Sequence, residues 1–243
     1  MSKSINILIV VIISGFLGIS CDSGPDFLKS NGKVIEVEVD LDAFHIINAI
    51  DEVDIYLSQG PDQKVSLRAQ KNMIPKIELS VEEDILTITD KNLFNWLRTP
   101  GNPELHITMS DLKRIEMYDY VNIYAVDTLQ VSYLRVYTYA TGEVNLLLNA
   151  NKVSLQSDFI SVIDVKGKAN SLSVKSINDG KILASELIAN DINVNHSGSN
   201  IIEVFPLSSL TGTLNGTGDL VYFHEPQELD VKVESTGKVY SDF

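Results

Sequence analysis

The sequence predicts an all-β protein: a parallel β-helix-like solenoid of about 19 residues per coil, preceded by a β-rich N-terminal part. Three observations carry this expectation. Leu134, Val153, Leu172, Ile192, Leu210 and Leu229 open successive units at spacings of 19, 19, 20, 18 and 19 residues. Eight residues into each unit stand Gly142, Ser161, Gly180, Asn200, Gly218 and Gly237, and two further on Val144, Ile163, Ile182, Ile202, Leu220 and Val239. Before the next opening, an Ala-Asn pair recurs at 150–151, 169–170 and 189–190. Repetition at this period marks a solenoid, because one unit buries its apolar face only against its neighbours.

Each unit reads as two half-buried strands. Leu134-Arg135-Val136, Leu172-Ser173-Val174 and Ile192-Asn193-Val194 alternate apolar and polar, as do Val144-Asn145-Leu146 and Leu220-Val221-Tyr222. The Gly or Asn between them suits a corner needing positive φ, so Gly142, Gly180, Gly218 and Gly237 are expected as structural corners. The Ala-Asn pair suits a second corner. An earlier, degenerate copy aligns Ile115 with Val136 and Val121 with Gly142, at a spacing of 21 residues. Regular short strands also suit an antiparallel sandwich or barrel. Hairpins, however, do not require one residue type to recur at every second strand, which favours the coil.

Upstream of the repeat, residues 34–110 read as shorter strands. Val34–Val39, Val53–Leu57, Val65–Leu67, Ile77–Val81, Ile85–Ile88 and Leu105–Met109 are the candidates. Gln59-Gly60-Pro61-Asp62 and Glu82-Glu83-Asp84 are turns, and Asn92–Pro103 is a loop. The repeat part spans 111–243.

The N-terminus reads as a targeting segment. Lys3 precedes an apolar run from Ile5 to Leu17 that is short for a membrane span and has the layout of a signal peptide over residues 1–20. Leu17-Gly18-Ile19-Ser20-Cys21 resembles a bacterial lipobox, with Gly18 where Leu is usual; Cys21, the only cysteine, would be acylated and become the mature N-terminus. A multiply acylated cysteine anchors firmly, and residues 21–33, turn-rich and polar at their start, suit a tether. The reading is therefore a cell-envelope lipoprotein held at the outer membrane. A formal net charge of −14 repels phosphate backbones, which excludes nucleic acid as an expected partner. A single cysteine offers no intramolecular disulfide, so stability must come from burial.

These features together resemble the DUF2807 family, the auto-transporter adhesin "head GIN" domain, over roughly Val37 to Phe243. The resemblance lies in Ile55-Tyr56-Leu57-Ser58-Gln59-Gly60, Val81–Ile88, Pro103–Ile115, the Gly-rich turn and strand Leu210–Tyr222, and Ser235-Thr236-Gly237-Lys238-Val239. It implies a right-handed, single-stranded β-helix-like fold with an exposed, adhesive role, and it implies no catalytic residues. Departures fall at Tyr118–Val121, where Tyr-Asp-Tyr-Val replaces a glycine turn, and at Ser161 and Asn200; they imply less regular coils there.

No catalytic constellation stands out. His45, His106, His196 and His224 are scattered without another His or Cys at ligand spacing, and no G-x-S-x-G elbow is present. Gly216-Thr217-Gly218-Asp219 is similar to a calcium-binding nonapeptide turn, but the nine-residue period is missing and corner geometry explains it better. Neither metal nor cofactor is expected. The concentrated oddity is tyrosine: six of the nine lie between Tyr118 and Tyr139. Alternation sends Tyr118, Tyr120, Tyr137 and Tyr139 outward, and the 21-residue register sets Tyr118 beside Tyr139. Such a strip would bind a sugar or a protein partner, or simply stabilise the sheet as an aromatic ladder. The expected function is that of a non-enzymatic, membrane-anchored binding module for a glycan or protein. The alternatives are a polysaccharide-active β-helix enzyme and a self-associating structural protein that pairs through the last coil around Lys238-Val239-Tyr240.

Overall fold

Parallel pairing of equivalent positions, one coil to the next, organises the chain. The structure is a computed structural model and describes residues 33–91 and 102–243. The leader, Cys21 and most of the Asn92–Pro103 loop lie outside the described residues. The strands are β1 (Val34–Glu38), β2 (Ile46–Ala49), β3 (Val53–Gln59), β4 (Lys64–Gln70), β5 (Ile77–Glu82), β6 (Ile85–Asp90), β7 (Glu104–Met109), β8 (Arg114–Met117) and β9 (Val121–Ala125). They continue as β10 (Leu129–Thr138), β11 (Gly142–Ser157), β12 (Ser161–Ser176), β13 (Lys181–His196), β14 (Ile202–Leu214), β15 (Leu220–Tyr222), β16 (Glu228–Val233) and β17 (Val239–Ser241).

The fold is a β-solenoid of about 7 turns with about 19 residues per turn. Its register is the one the repeat predicts. Leu134, Val153, Leu172, Ile192, Leu210 and Leu229 are successive cross-strand partners on one face. Val144, Ile163, Ile182, Ile202, Leu220 and Val239 are partners on the next. The degenerate copy aligns too, Ile115 with Val136 and Val121 with Gly142. All these pairings are parallel, which a sandwich of hairpins does not produce. The inward Leu, Val and Ile side chains stack into one core; Val136, Val153, Leu155, Ile163, Val194 and Ile202 are wholly buried.

Coils also form below residue 111, in an order the chain does not announce. β2 pairs in parallel with both β6 and β8, and β3 with both β7 and β9. The β2–β3 coil is therefore threaded between the β6–β7 coil and the β8–β9 coil. Antiparallel strands close that end of the solenoid: β5 on β6, and β4 on β7 with β1 on β4. The tight β5–β6 turn places Glu83 and Asp84 at φ 49° and 72°, as a two-residue hairpin requires. Register shifts occur in the middle coils, between Asp164 and Lys166, Ala184 and Ile188, and Ala189 and Asp191, rather than at Tyr118–Val121.

The corners correct the expectation about glycine. Gly142 has φ +128°, but Gly180, Gly218 and Gly237, like Asn200, are not at positive φ. What those three glycines supply is room. A Cβ on Gly180 would meet Ser157 Oγ at 1.7 Å, and one on Gly218 would meet Asn200 O at 2.1 Å and His196 Nε2 at 2.3 Å. Gly180 and Gly218 thus leave space for a buried polar side chain of the coil below, and Gly237 for the backbone carbonyl of Gly218, which a Cβ would meet at 2.2 Å; the backbone turns here and its polar groups need partners. Ser157 Oγ donates to Phe159 O (3.3 Å), and Thr138 and Ser161 share a hydroxyl hydrogen bond of 2.6 Å.

At the second corner, β11, β12 and β13 continue through the Ala-Asn pair. In β11 both Asn151 and Lys152 point out, so the inward alternation resets from Ala150 to Val153. Asn170 donates to Asn151 (3.1 Å) and Asn190 to Asn170 (2.8 Å), a side-chain ladder along the bend. Small Ala150, Ala169 and Ala189 let the chain turn against the core.

Candidate functional site

Tyr118 and Tyr120 sit in the corner between β8 and β9, and Tyr137 and Tyr139 at the end of β10. β10 lies one coil further along, paired with β8 so that Tyr137 is level with Glu116. The backbone N–H of Tyr118 donates to Ala49 O (2.9 Å) and that of Tyr139 to Met117 O (2.9 Å), which locks the two tyrosines in successive layers. Their rings stack with centroids 5.1 Å apart and an interplanar angle of 18°. Tyr137 joins at 6.4 Å, tilted by 39°. Tyr118, Tyr120 and Tyr139 remain 45%, 46% and 39% exposed, and Tyr137 is half-buried.

The stack has an electrostatic anchor. Tyr118 Oη donates to Glu116 Oε2 (2.7 Å), and Arg114 Nε lies 3.0 Å from Glu116 Oε1. Hydrogen bonding to Glu116, then burial, pushes the Tyr118 phenol up to about 12. Burial, then nearby Glu116, raises that of Tyr139 as well. Both phenols stay neutral at physiological pH and keep their hydroxyls as donors. Stacked rings show their faces chiefly to each other, so what this corner offers a partner is ring edges, hydroxyls and outer faces. The backbone N–H of Tyr120 is held by Asp119 Oδ1 (2.7 Å), and the Tyr120 phenol lies near enough to Tyr124 to help raise that group's pKa.

A second aromatic column was hidden from sequence reasoning. His106 of β7, Tyr56 of β3 and Tyr124 of β9 stack in that order, with centroids 4.8 Å and 5.4 Å apart. Asp54 beside it accepts from Asn122 Nδ2 (2.8 Å) and Asn102 Nδ2 (3.1 Å), while Glu104 contacts Arg68 (2.5 Å) and His106 (3.3 Å). Alternation alone sends all three rings outward. The missing signal was coil order: Tyr56 and His106 become neighbours only because β3 threads between β7 and β9.

Gly142, Gly180, Gly218 and Gly237 lie at the corners, packed against the coil below. His45 contacts Asp84 (2.5 Å), His224 contacts Pro206 O (2.9 Å), and His196 is buried in a corner. Among the described residues, no group of three or more His, Cys, Asp or Glu side chains is placed to hold a metal ion. No described helix is long and apolar enough to cross a membrane.

Fold and surface together define a parallel β-solenoid whose lateral face carries two aromatic columns set among carboxylates. The chain belongs to the DUF2807 family, described as "Putative auto-transporter adhesin, head GIN domain", whose sequence profile matches residues 43–226. Its fold is similar to that of a putative adhesin from Bacteroides fragilis NCTC 9343, at 20% identity and a TM-score of 0.80, over 86% of this chain and 97% of that one. It is also similar to a putative adhesin from Parabacteroides merdae ATCC 43184 (18% identity, TM-score 0.63, 88% and 98% of the two chains). A putative lipid binding protein from Parabacteroides distasonis ATCC 8503 shares the fold at 16% identity and a TM-score of 0.64, over 88% and 98% of the two chains. No curated protein matches this sequence.

Proposed function

We propose that this chain is a non-enzymatic binding module of the cell envelope, tethered through an acylated Cys21 and contacting a glycan or protein partner through its tyrosine-bearing corner. The observation that carries the reading is the exposure of Tyr118, Tyr120 and Tyr139 on a rigid, hydrogen-bonded frame. Aromatic side chains with polar tips give large contact area at low ordering cost, which suits recognition. Membership of an adhesin-described family supports the same reading.

A glycan and protein panel probed with the full chain, with product analysis on every glycan, tests it. Binding without bond cleavage is the expected result; cleavage of a glycosidic bond would replace the reading with an enzymatic one. Anchoring has its own test. Mass spectrometry of the native protein extracted from membranes should find the leader removed and acyl chains on Cys21, and a native chain with an unmodified Cys21 would remove the lipid tether from the proposal.

A further inference from the structure

The two ends of the solenoid are finished differently. At the N-terminal end, antiparallel β1, β4 and β5 close the coils, and the outermost strands β1 and β5 carry only acidic charged residues: Glu36 and Glu38, Glu78 and Glu82. Glu78 is paired with Lys91 (2.5 Å), while Glu36 and Glu38 leave the β1 edge acidic, and an acidic edge repels its own copies. At the C-terminal end, β16 pairs only with β14, and nothing further along the described chain covers it. Leu229, Val231 and Val233 continue the inward column of Leu210, Gly212 and Leu214. Yet Leu229 is 44% and Val233 45% exposed, because no next coil lies above them. Among the described residues no polar coil covers this apolar column.

The backbone of β16 is equally open. Glu234 N donates to Leu214 O (2.7 Å), so the even-numbered residues of this strand point their N–H and C=O toward β14. By strand alternation, Leu229, Val231 and Val233 point theirs to the free edge. We infer that a second copy of this chain covers this edge, as a two-fold dimer in which β16 pairs antiparallel with β16 of the other copy, centred on Val231. Only registers that set odd residues opposite odd residues align the free donors and acceptors. With the axis at Val231, Val231 faces its counterpart and Leu229 faces Val233, which closes the apolar column. On the outer face Asp230 lies opposite Lys232, twice. Shifting the register by two residues sets Asp230 against Asp230 in one direction and Lys232 against Lys232 in the other. One unfavourable element remains at each end, where Glu228 faces Glu234; Lys232 already contacts Glu234 (2.5 Å) and offsets it. Because the opposite end is closed and acidic, the assembly stops at two copies instead of growing into a filament.

Sedimentation of the full chain carrying Cys21→Ala, which cannot be acylated, tests the dimer. The expected particle has about twice the 26.9 kDa chain mass. Asp230→Lys, which sets lysine against Lys232, should raise the dimer dissociation constant roughly tenfold or more, with an unchanged circular dichroism spectrum. Adding Lys232→Asp to that variant should restore association. A native sequence that stays monomeric at all concentrations would overturn the inference, as would a dimer indifferent to the single charge reversal. Because no binding partner enters the measurement, its outcome is separate from the fate of the proposed function.

Discussion

Gly218→Ala is expected to destabilise the solenoid by about 3 kcal/mol, through overpacking and disruption of a buried hydrogen bond. The added Cβ would stand 2.1 Å from Asn200 O and 2.3 Å from His196 Nε2, far inside any real contact distance. Asn200 O is a backbone atom that already accepts from His196 (2.7 Å), so neither neighbour yields without losing that bond. Thermal unfolding should shift down by roughly 10 °C, taking about 2–4 °C per kcal/mol for a domain of this size. Thr217→Ala, one residue away and exposed, is the control and should change stability by no more than about 0.5 kcal/mol. Equal melting of Gly218→Ala and the native chain would show that the corner glycines are not there to make room.

Acid should loosen the same corner through His196. This side chain is wholly buried, its Nε2–H donating to Asn200 O (2.7 Å) and its Nδ1 accepting from the Gly198 N–H (3.3 Å). Both nitrogens are used by the neutral ring, and a proton on Nδ1 would point at another N–H. Burial lowers the pKa from the ordinary 6.5, opposed by the Asn200 hydrogen bond and by Asp219. The unfolded chain therefore binds a proton near pH 6.5 that the folded chain refuses. Stability from this group is complete above that pH and falls as pH drops, by at most about 1.4 kcal/mol per pH unit, until the lower folded pKa is reached. The urea midpoint should be lower at pH 5.5 than at pH 7.5, a window in which most carboxylates do not titrate. His196→Gln should flatten the difference. A ring pKa at or above 6.5 by NMR would contradict the assignment.

The repeat was legible because parallel stacking puts chemically equivalent positions one above another, so inward residues such as Leu155, Val174 and Val194 recur at the coil period. The role of glycine was not. Spacing locates Gly180 and Gly218 at corners, but only the three-dimensional neighbours show that they accommodate Ser157 and His196 rather than a positive φ. Ile46–Ala49 escaped notice as β2, since four residues that open with Ile46-Ile47 carry little alternation. The threading of β2–β3 between later coils was invisible for a deeper reason. Pairings such as Ile47 with Leu86 and with Ile115 join positions that no local pattern relates.

The site was half legible for the same reason. Tyr118 and Tyr139 follow from alternation and the 21-residue register, and their rings do meet. The His106–Tyr56–Tyr124 column needs the threaded order and could not be read. Its geometry also shows what stacking does in this fold. Rings one coil apart face one another along the solenoid, contributing about 0.2–1 kcal/mol per cross-strand pair, while edges and hydroxyls remain outside. A role in stability and a role in contact are thus compatible in the same side chains.

The central claim is that the tyrosine corner is the contact surface, and a paired substitution tests it most directly. Tyr118→Ala combined with Tyr139→Ala, in the full chain, should abolish binding to whichever panel component the native chain retains. The far-UV circular dichroism spectrum should not change, because the inward core beneath is untouched. Undiminished binding by the folded double variant would contradict the claim.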